Sequence, residues 1–300
     1  MRNPATGGEV MRNLVASLPV FALALMSTAP ASASNCLDNP DALGVSRVLE
    51  INTSGGPRFG TLQYKQTLDL GPKEVVLTFD DGPHPKNTQR VLAALKKECV
   101  KATFFTVGTM VQNYPESLQA IADDGHTIGT HSWSHPNIGR MSLARATNQI
   151  ERGFRTINAA VDVQIAPFFR FPGLNDSKIM KTYATKRGYA IFSTDVSSDD
   201  WRGIGARSII RRTMARLRHK KSGIILFHDT KFATAAAIPA LLQALKKGGY
   251  KIVHIVPEHT YVSAQNAETG KDDAAEAAVV AKLESPGQSD ANPASTPARR

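Results

Sequence analysis

The sequence predicts an α/β domain, a distorted (β/α)7 barrel of parallel strands whose active site lies at their C-terminal ends. Three observations point there. Seven short β-branched and aromatic runs recur, helical patterns separate most of them, and the polar residues best suited to catalysis fall just where the runs end.

The runs are Val75–Phe79, Ala102–Val107, Thr127–Thr130, Pro167–Arg170, Ala190–Thr194, Gly223–Phe227 and Lys251–Val256. Each is short for a helix and rich in residues that suit a buried, pleated surface. Asn87–Lys97 then carries Val91, Leu92 and Leu95 on one face, and Gly125 follows Glu116–Asp124 as a helix-ending glycine does. Leu143–Val161 repeats Leu143, Ala146, Ile150, Phe154, Ile157 and Val161 at helical spacing. Strands alternating with helices build a parallel sheet, because a parallel return needs a crossover. Seven repeats suggest closure into a barrel, with a doubly wound open sheet as the alternative.

The 300 residues, 42% of them hydrophobic, suffice for one large domain with chain to spare at both ends. Arg2 and Arg12 precede an apolar run from Leu14 to Met26, and Ala31-Ser32-Ala33 offers a small-x-small cleavage site. This reads as a signal peptide over 1–33, too short in its apolar part for a membrane span, so a secreted or periplasmic chain is expected. Residues 34–72 read as an extended N-terminal segment packed on a domain over 73–263, and residues 264–300, without an aromatic side chain, as a disordered tail. The two cysteines, Cys36 and Cys99, are able to pair after export, which by the chain-entropy model would contribute about 4 kcal/mol. The alternative is a buried Cys99 thiol and an unpaired Cys36. The net charge of +10 suits any anionic partner, but an exported chain with an acidic site argues against nucleic acid. A monomer is expected. The run Arg207, Arg211, Arg212, Arg216, Arg218, Lys220 and Lys221 surrounds Ile209, Ile210, Met214 and Leu217 and reads as the solvated face of a helix.

The chemistry-bearing residues follow the strands in order: Asp80 and Asp81, His131 and His135, Arg170, Asp195, His228. Adjacent carboxylates at a strand end point in opposite directions, so one is free to ligate a metal while the other stays unbound. The histidines, four apart, would share one side of a helical turn and reach a single ion. With a carboxylate they form a His-His-Asp set suited to zinc with an open position for water.

In the order and content of these motifs, from about Lys73 to Pro257, the chain resembles the NodB-like polysaccharide deacetylases of carbohydrate esterase family four. The resemblance implies that Asp80 in Thr78-Phe79-Asp80-Asp81-Gly82-Pro83 is the catalytic base. It makes Asp81, His131 and His135 the ligands of Zn2+, with other divalent ions such as Co2+ able to substitute. Arg170 in Arg170-Phe171-Pro172-Gly173 would orient Asp80, and His228 in Leu226-Phe227-His228 would protonate the departing amine. The implied activity is removal of N-acetyl groups from an N-acetylglucosamine-containing glycan of the chitin-oligomer or peptidoglycan type. An O-acetyl esterase acting on a polysaccharide such as xylan, or a non-catalytic glycan-binding protein, are the alternatives.

Two departures from the family pattern matter. Its fourth motif, Asp-x-x-Asp-Trp, meets Ser197-Ser198-Asp199-Asp200-Trp201 here, with serine at the first position. Asp195, at a strand end, is therefore the first choice for the carboxylate that tunes His228, and Asp200 the second. Trp201 and Leu226 would wall the acetyl methyl. Gly173 stands where the family carries Tyr or Phe, keeping a backbone N–H for the substrate while losing the ring.

Overall fold

The structure, a computed structural model, describes Cys36 and residues 39–258. The signal peptide expected over 1–33 and the tail expected over 264–300 lie outside the described residues. Two strands precede the first predicted run, β1 (Arg47–Ile51) and β2 (Arg58–Phe59). There follow β3 (Glu74–Asp80), α1 (Asn87–Lys97), β4 (Thr103–Thr106), α2 (Gly108–Asn113), α3 (Pro115–Asp123), β5 (Thr127–Thr130) and α4 (Leu143–Asn158). The rest of the chain forms β6 (Phe168–Phe169), α5 (Lys178–Arg187), β7 (Ala190–Phe192), β8 (Val196–Ser197), α6 (Ala206–Lys220), β9 (Gly223–His228), α7 (Phe232–Lys247) and β10 (Lys251–Pro257).

Every ladder is parallel, as the crossover helices require, and all seven predicted runs lie in one sheet. β3 pairs with β9 along Val75–Asp80 and with β4 through Thr78–Asp80, and β5, β6 and β7 continue in order. The predicted strand over Ala190–Thr194 is broken. Its first part, β7, pairs with β6, and after a step at Ser193–Asp195 its continuation, β8, pairs with β9. One stretch of chain thus joins both ends of the sheet and closes the ring. β10 pairs with β3 only through Lys251↔Glu74 and Ile252↔Val75, and from Val253 onward it pairs with β1 instead, from Arg47↔Val253 to Ile51↔Pro257.

Alternation along β3 sorts its side chains between two cores. Val75, Leu77 and Phe79 face the helices in one buried cluster, where Phe79 stacks on Phe104 and Phe227 with centroids at 5.1 and 5.6 Å. Val76 packs inside the barrel with Phe105, Phe168, Phe192 and Ile224. Each such ring removed from water stabilises the fold by roughly 2–3 kcal/mol. Thr78 and Asp80 share the parity of Val76 and are likewise buried.

Strand pairing and a disulfide fasten the N-terminal segment. β1 lies on β10, β2 pairs with β7 through Arg58↔Ile191 and Phe59↔Phe192, and Cys36 is bonded to Cys99 across a sequence separation of 63. Among the described residues no helix is long and apolar enough to cross a membrane.

Candidate active site

Asp80 ends β3 inside the barrel, and its counter-charge comes from Arg170, which follows β6 and is fully buried. A guanidinium without exposure requires hydrogen-bond partners, and each of its three nitrogens has one. Nη1 donates to Asp80 Oδ1 at 2.7 Å and to Thr78 Oγ1 at 2.8 Å, Nε to the Phe192 carbonyl at 3.2 Å, and Nη2 to the Ser193 carbonyl at 2.8 Å. The ring of Phe105 lies beneath, 4.3 Å from the guanidinium carbon. Burial pushes the Asp80 carboxyl above the usual carboxylate range, against the pull of the Arg170 and His228 cations, which makes it a stronger base than an exposed aspartate.

Asp81 turns away from Asp80 with a φ of 74° and faces the two histidines. Its Oδ1 lies 3.7 Å from His131 Nε2 and 3.3 Å from His135 Nε2, and one donor atom from each residue falls within 4.8 Å of the others. The His131–His135 stretch is not the helical turn expected from the spacing. It is a bent loop with Ser132 and His135 at positive φ, pinned by Ser132 Oγ, which accepts the His135 N–H, and by Trp133, buried over Gly108. Gly108 has no room for a Cβ, which would stand 2.5 Å from the indole. The His131 Nδ1–H donates to the Arg170 carbonyl at 2.7 Å, so the lone pair sits on Nε2, toward Asp81. Burial, helped by the neighbouring His135 and Arg170 and opposed by Asp81, pushes the His131 imidazole down to about 3, neutral at any working pH. Asp81 Oδ1 is buried and accepts no hydrogen bond among the described residues. Two imidazole nitrogens and an orphaned carboxylate oxygen facing each other fit a borderline divalent ion.

His228 ends β9 and is the direct register partner of Asp80 across the β3–β9 ladder. Its Nδ1–H donates to Asp200 Oδ1 at 2.7 Å, while Asp200 Oδ2 accepts the His228 backbone N–H at 2.7 Å and the Thr234 hydroxyl at 2.6 Å. Burial disfavours the His228 cation, but the bond to Asp200 and the charges of Asp200, Asp80 and Asp81 outweigh it and push the group up to about 9. Asp200 is held below the ordinary carboxylate range: its burial raises it, and the bonds from His228 and Thr234 more than offset that.

The first choice for this partner, Asp195, is corrected by the structure. Asp195 sits in the β7–β8 step with both oxygens occupied elsewhere. Oδ1 accepts the Thr61 N–H at 2.8 Å and hydroxyl at 2.7 Å, and Oδ2 the Thr67 hydroxyl at 2.6 Å and the Ile224 N–H at 2.8 Å. It fastens the N-terminal segment to the barrel. Ser197, where the family pattern has aspartate, exchanges hydrogen bonds with Asp199, which is bridged in turn by Arg212 and Arg216 at 2.7 Å each.

These groups open into a groove of about 960 Å³ that is also lined by Gly173, Trp201 and Leu226. Gly173 has a φ of 60°, and a Cβ there would meet nothing within 4 Å. Trp201 is 56% exposed beneath the Arg202 guanidinium, 4.5 Å away, whereas Leu226 is buried in the groove floor. Three contributors escaped sequence reasoning. Leu62 lines the groove from the N-terminal segment, and Thr234 braces Asp200 from α7. Asp229, fully buried beside His228, accepts the Thr88 hydroxyl and packs against Gly82, where a Cβ would strike its carboxylate. Only Asp229 left a signal, as an acid directly after the histidine.

Comparison with known proteins agrees with this arrangement. A family model described as polysaccharide deacetylase matches residues 67–192. The peptidoglycan-N-acetylmuramic acid deacetylase PdaC of Bacillus subtilis (strain 168) is 33% identical over 65% of this chain, which spans 40% of that protein's length. The chitooligosaccharide deacetylase of Bradyrhizobium sp. (strain ANU 289) is 31% identical over 63% of this chain and 91% of its own. Among solved structures, a peptidoglycan deacetylase of Bdellovibrio bacteriovorus superposes with a TM-score of 0.64 at 32% identity, covering 70% of this chain and 58% of that one. With its parallel barrel and with a relative matched over nearly its whole length, the chain belongs to the polysaccharide deacetylase family.

Proposed function

We propose that the protein is a divalent-metal-dependent hydrolase that removes N-acetyl groups from an N-acetylglucosamine-containing glycan of the peptidoglycan or chitin-oligomer type, and that it works outside the cytoplasm. The observation that carries this reading is the placement of two clamped proton-transfer groups on adjacent strands, Asp80 held by Arg170 and His228 held by Asp200, beside the Asp81, His131 and His135 donor set.

Asp81, His131 and His135 would hold Zn2+, or Co2+ in its place, which when bound supplies an activated water and a polarised amide carbonyl. Asp80 Oδ2, 3.8 Å from His131 Nε2, is free of Arg170 and positioned to take the proton of the attacking water. Arg170 keeps the carboxylate aimed by holding its other oxygen. His228, protonated through Asp200, gives a proton from Nε2 to the departing amine, so base and acid reside in different residues whose environments push them apart. The Gly173 N–H supplies a donor for the developing oxyanion, and Leu226 and Trp201 enclose the acetyl methyl.

The test is acetate release from chitin oligomers, peptidoglycan and acetylated xylan before and after exhaustive chelation. Loss of release with chelator, and its recovery with Zn2+ or Co2+, is the expected result; full activity in the chelated protein would refute the metal assignment.

A further inference from the structure

Asp229 is a buried acid that the reaction proposed above does not use. It follows His228 at the end of β9, yet His228 lines the groove while Asp229 has no exposure at all. Desolvation pushes its carboxyl up to about 7, against the bond from Thr88. Its Oδ1 has no hydrogen-bond partner among the described residues. Packing alone would be served at lower cost by an apolar side chain of the same size.

What the carboxyl touches is the turn that carries Asp81. β3 and β9 are neighbours with Asp80 opposite His228, so Asp81-Gly82-Pro83-His84 and Asp229 leave the sheet side by side. A Cβ on Gly82 would overlap both carboxylate oxygens. The φ of Gly82 is not positive, so glycine is required there by the carboxylate and not by the backbone conformation. Oδ2 accepts the Thr88 hydroxyl, and the same Thr88 oxygen accepts the His84 N–H at 2.7 Å. The Thr88 N–H returns a bond to the His84 carbonyl at 3.1 Å. A hydroxyl has one hydrogen, and the bond from His84 leaves it free for Asp229. Asp229 therefore grips the turn at Gly82 by contact and at His84 through Thr88, just after Asp81 with its φ of 74°. A further tie, from Asn87 Nδ2 to the Thr230 carbonyl at 2.8 Å, keeps the two strand-end loops together.

A plainer reading is that Asp229 compensates the positive N-terminus of α1, whose second residue is Thr88. That accounts for the hydroxyl bond. It does not account for a carboxylate set against Gly82, one residue from a proposed metal ligand.

We propose that Asp229 is a positioning residue for the metal site: with Thr88 as its relay it fixes the backbone from Gly82 to His84, and so the direction in which Asp81 presents Oδ1 to His131 and His135. The inference rests on the metal-dependent reading above.

The experiment uses the full chain, stripped of metal and titrated with Zn2+ against a chromophoric chelator, then with Co2+, whose visible absorption reports ligand geometry. Thr88→Val keeps the shape of the relay and removes both of its side-chain bonds, Thr88→Ser restores the hydroxyl, and Asp229→Ala removes the prop itself. Partners outside the ligand set typically change metal affinity by about 10–100-fold, and one acting through the backbone falls at the lower end. Thr88→Val and Asp229→Ala should therefore weaken Zn2+ binding about tenfold and alter the Co2+ spectrum, while Thr88→Ser binds as the native chain does. At saturating metal, kcat on a chitin oligomer should fall more than KM rises. Melting curves accompany every variant, and if Asp229→Ala does not fold, the Thr88→Val and Thr88→Ser pair decides. Native Zn2+ affinity and Co2+ spectrum in Thr88→Val, with only a lowered Tm, overturn the positioning role and leave the metal reading intact. A native chain that binds no Zn2+ refutes the metal reading and this inference with it. Zn2+ binding that depends on Thr88 and Asp229, without acetate release from any glycan, refutes the hydrolase reading and keeps the positioning role.

Discussion

Replacing Asp200 by asparagine tests the proposed acid most directly. In the native site Asp200 Oδ1 takes the Nδ1–H of His228 at 2.7 Å, and the imidazole is pushed up to about 9. The interval from there to an ordinary imidazole near 6.5 corresponds to roughly 3 kcal/mol of preference for the cation. An asparagine keeps the shape, and its oxygen still receives the His228 N–H and Thr234, but its amide offers a donor to Nδ1 and no charge. The burial that lowers His228 is then unopposed at this contact, and the group falls to or below 6.5. At pH 7.5 the protonated population drops from nearly all to about one in ten or fewer. With the loss of orientation, kcat is expected to fall by about 10²–10⁴ and the alkaline limb of its pH profile to move down by about two units. Stability follows the same pair. Because the folded pKa is raised, its contribution is fully present below pH ~6.5 and disappears as pH rises through about 9, so the native-minus-variant difference in Tm should be greatest in acid and small above pH 9. The control is Asp195→Asn, which should lower Tm, because the Thr61, Thr67 and Ile224 donors lose a charged acceptor, yet leave the alkaline limb in place. A pH profile that moves with Asp195→Asn and not with Asp200→Asn would refute the reasoning.

Other outcomes separate the remaining roles. Asp80→Asn should abolish turnover while the purified protein still binds one equivalent of zinc, whereas His131→Ala should lose both; metal analysis of the two variants decides, and a metal-free Asp80→Asn would exchange the roles of the paired aspartates. At Gly173, whose φ is 60° and whose added Cβ would be unobstructed, Ala should cost about 1 kcal/mol in denaturant melts and Asn less, with kcat kept within a few-fold because both retain the N–H. A large fall in kcat for the folded Asn variant would show that the open space, and not the donor, is what matters there. Cys99→Ser removes a crosslink spanning 63 residues and should lower stability by about 4 kcal/mol in the chain-entropy model, read as a shift of the denaturation midpoint that reductant reproduces in the native protein; an unchanged midpoint would contradict it.

Much of the site was readable in one dimension because parallel strands deliver their ends to a single rim. Asp80, His131, Arg170 and His228 each follow an apolar run, and the ladders bring those ends together. The histidine spacing singled out two side chains that do converge, but by an incorrect route: a helical turn was expected, and the loop brings them together through positive φ at Ser132 and His135. The partner of His228 was misread because position along a strand says nothing once the strand breaks. Asp195 stands where a strand end should be, but the step into β8 turns its carboxylate onto Ile224 and the N-terminal segment, and Asp200 arrives from the short helical turn beyond. β1 and β2 left no periodic trace, one being half exposed and the other two residues long, with partners far away in sequence.

Arg170 gives the ring closure a chemical meaning. Its guanidinium touches β3 through Thr78 and Asp80, springs from the end of β6, and meets the Phe192 and Ser193 carbonyls where β7 gives way to β8. Two of its four bonds therefore exist only when the broken strand is in place. A barrel left ajar at that seam would release the cation to water and leave a buried carboxyl beside it with no reason to ionise. The proposed base is thus armed by the last joint of the scaffold, so that structural completeness and proton affinity are two readings of one residue, and damage to a remote strand pairing would reach the proposed reaction centre as a change in basicity.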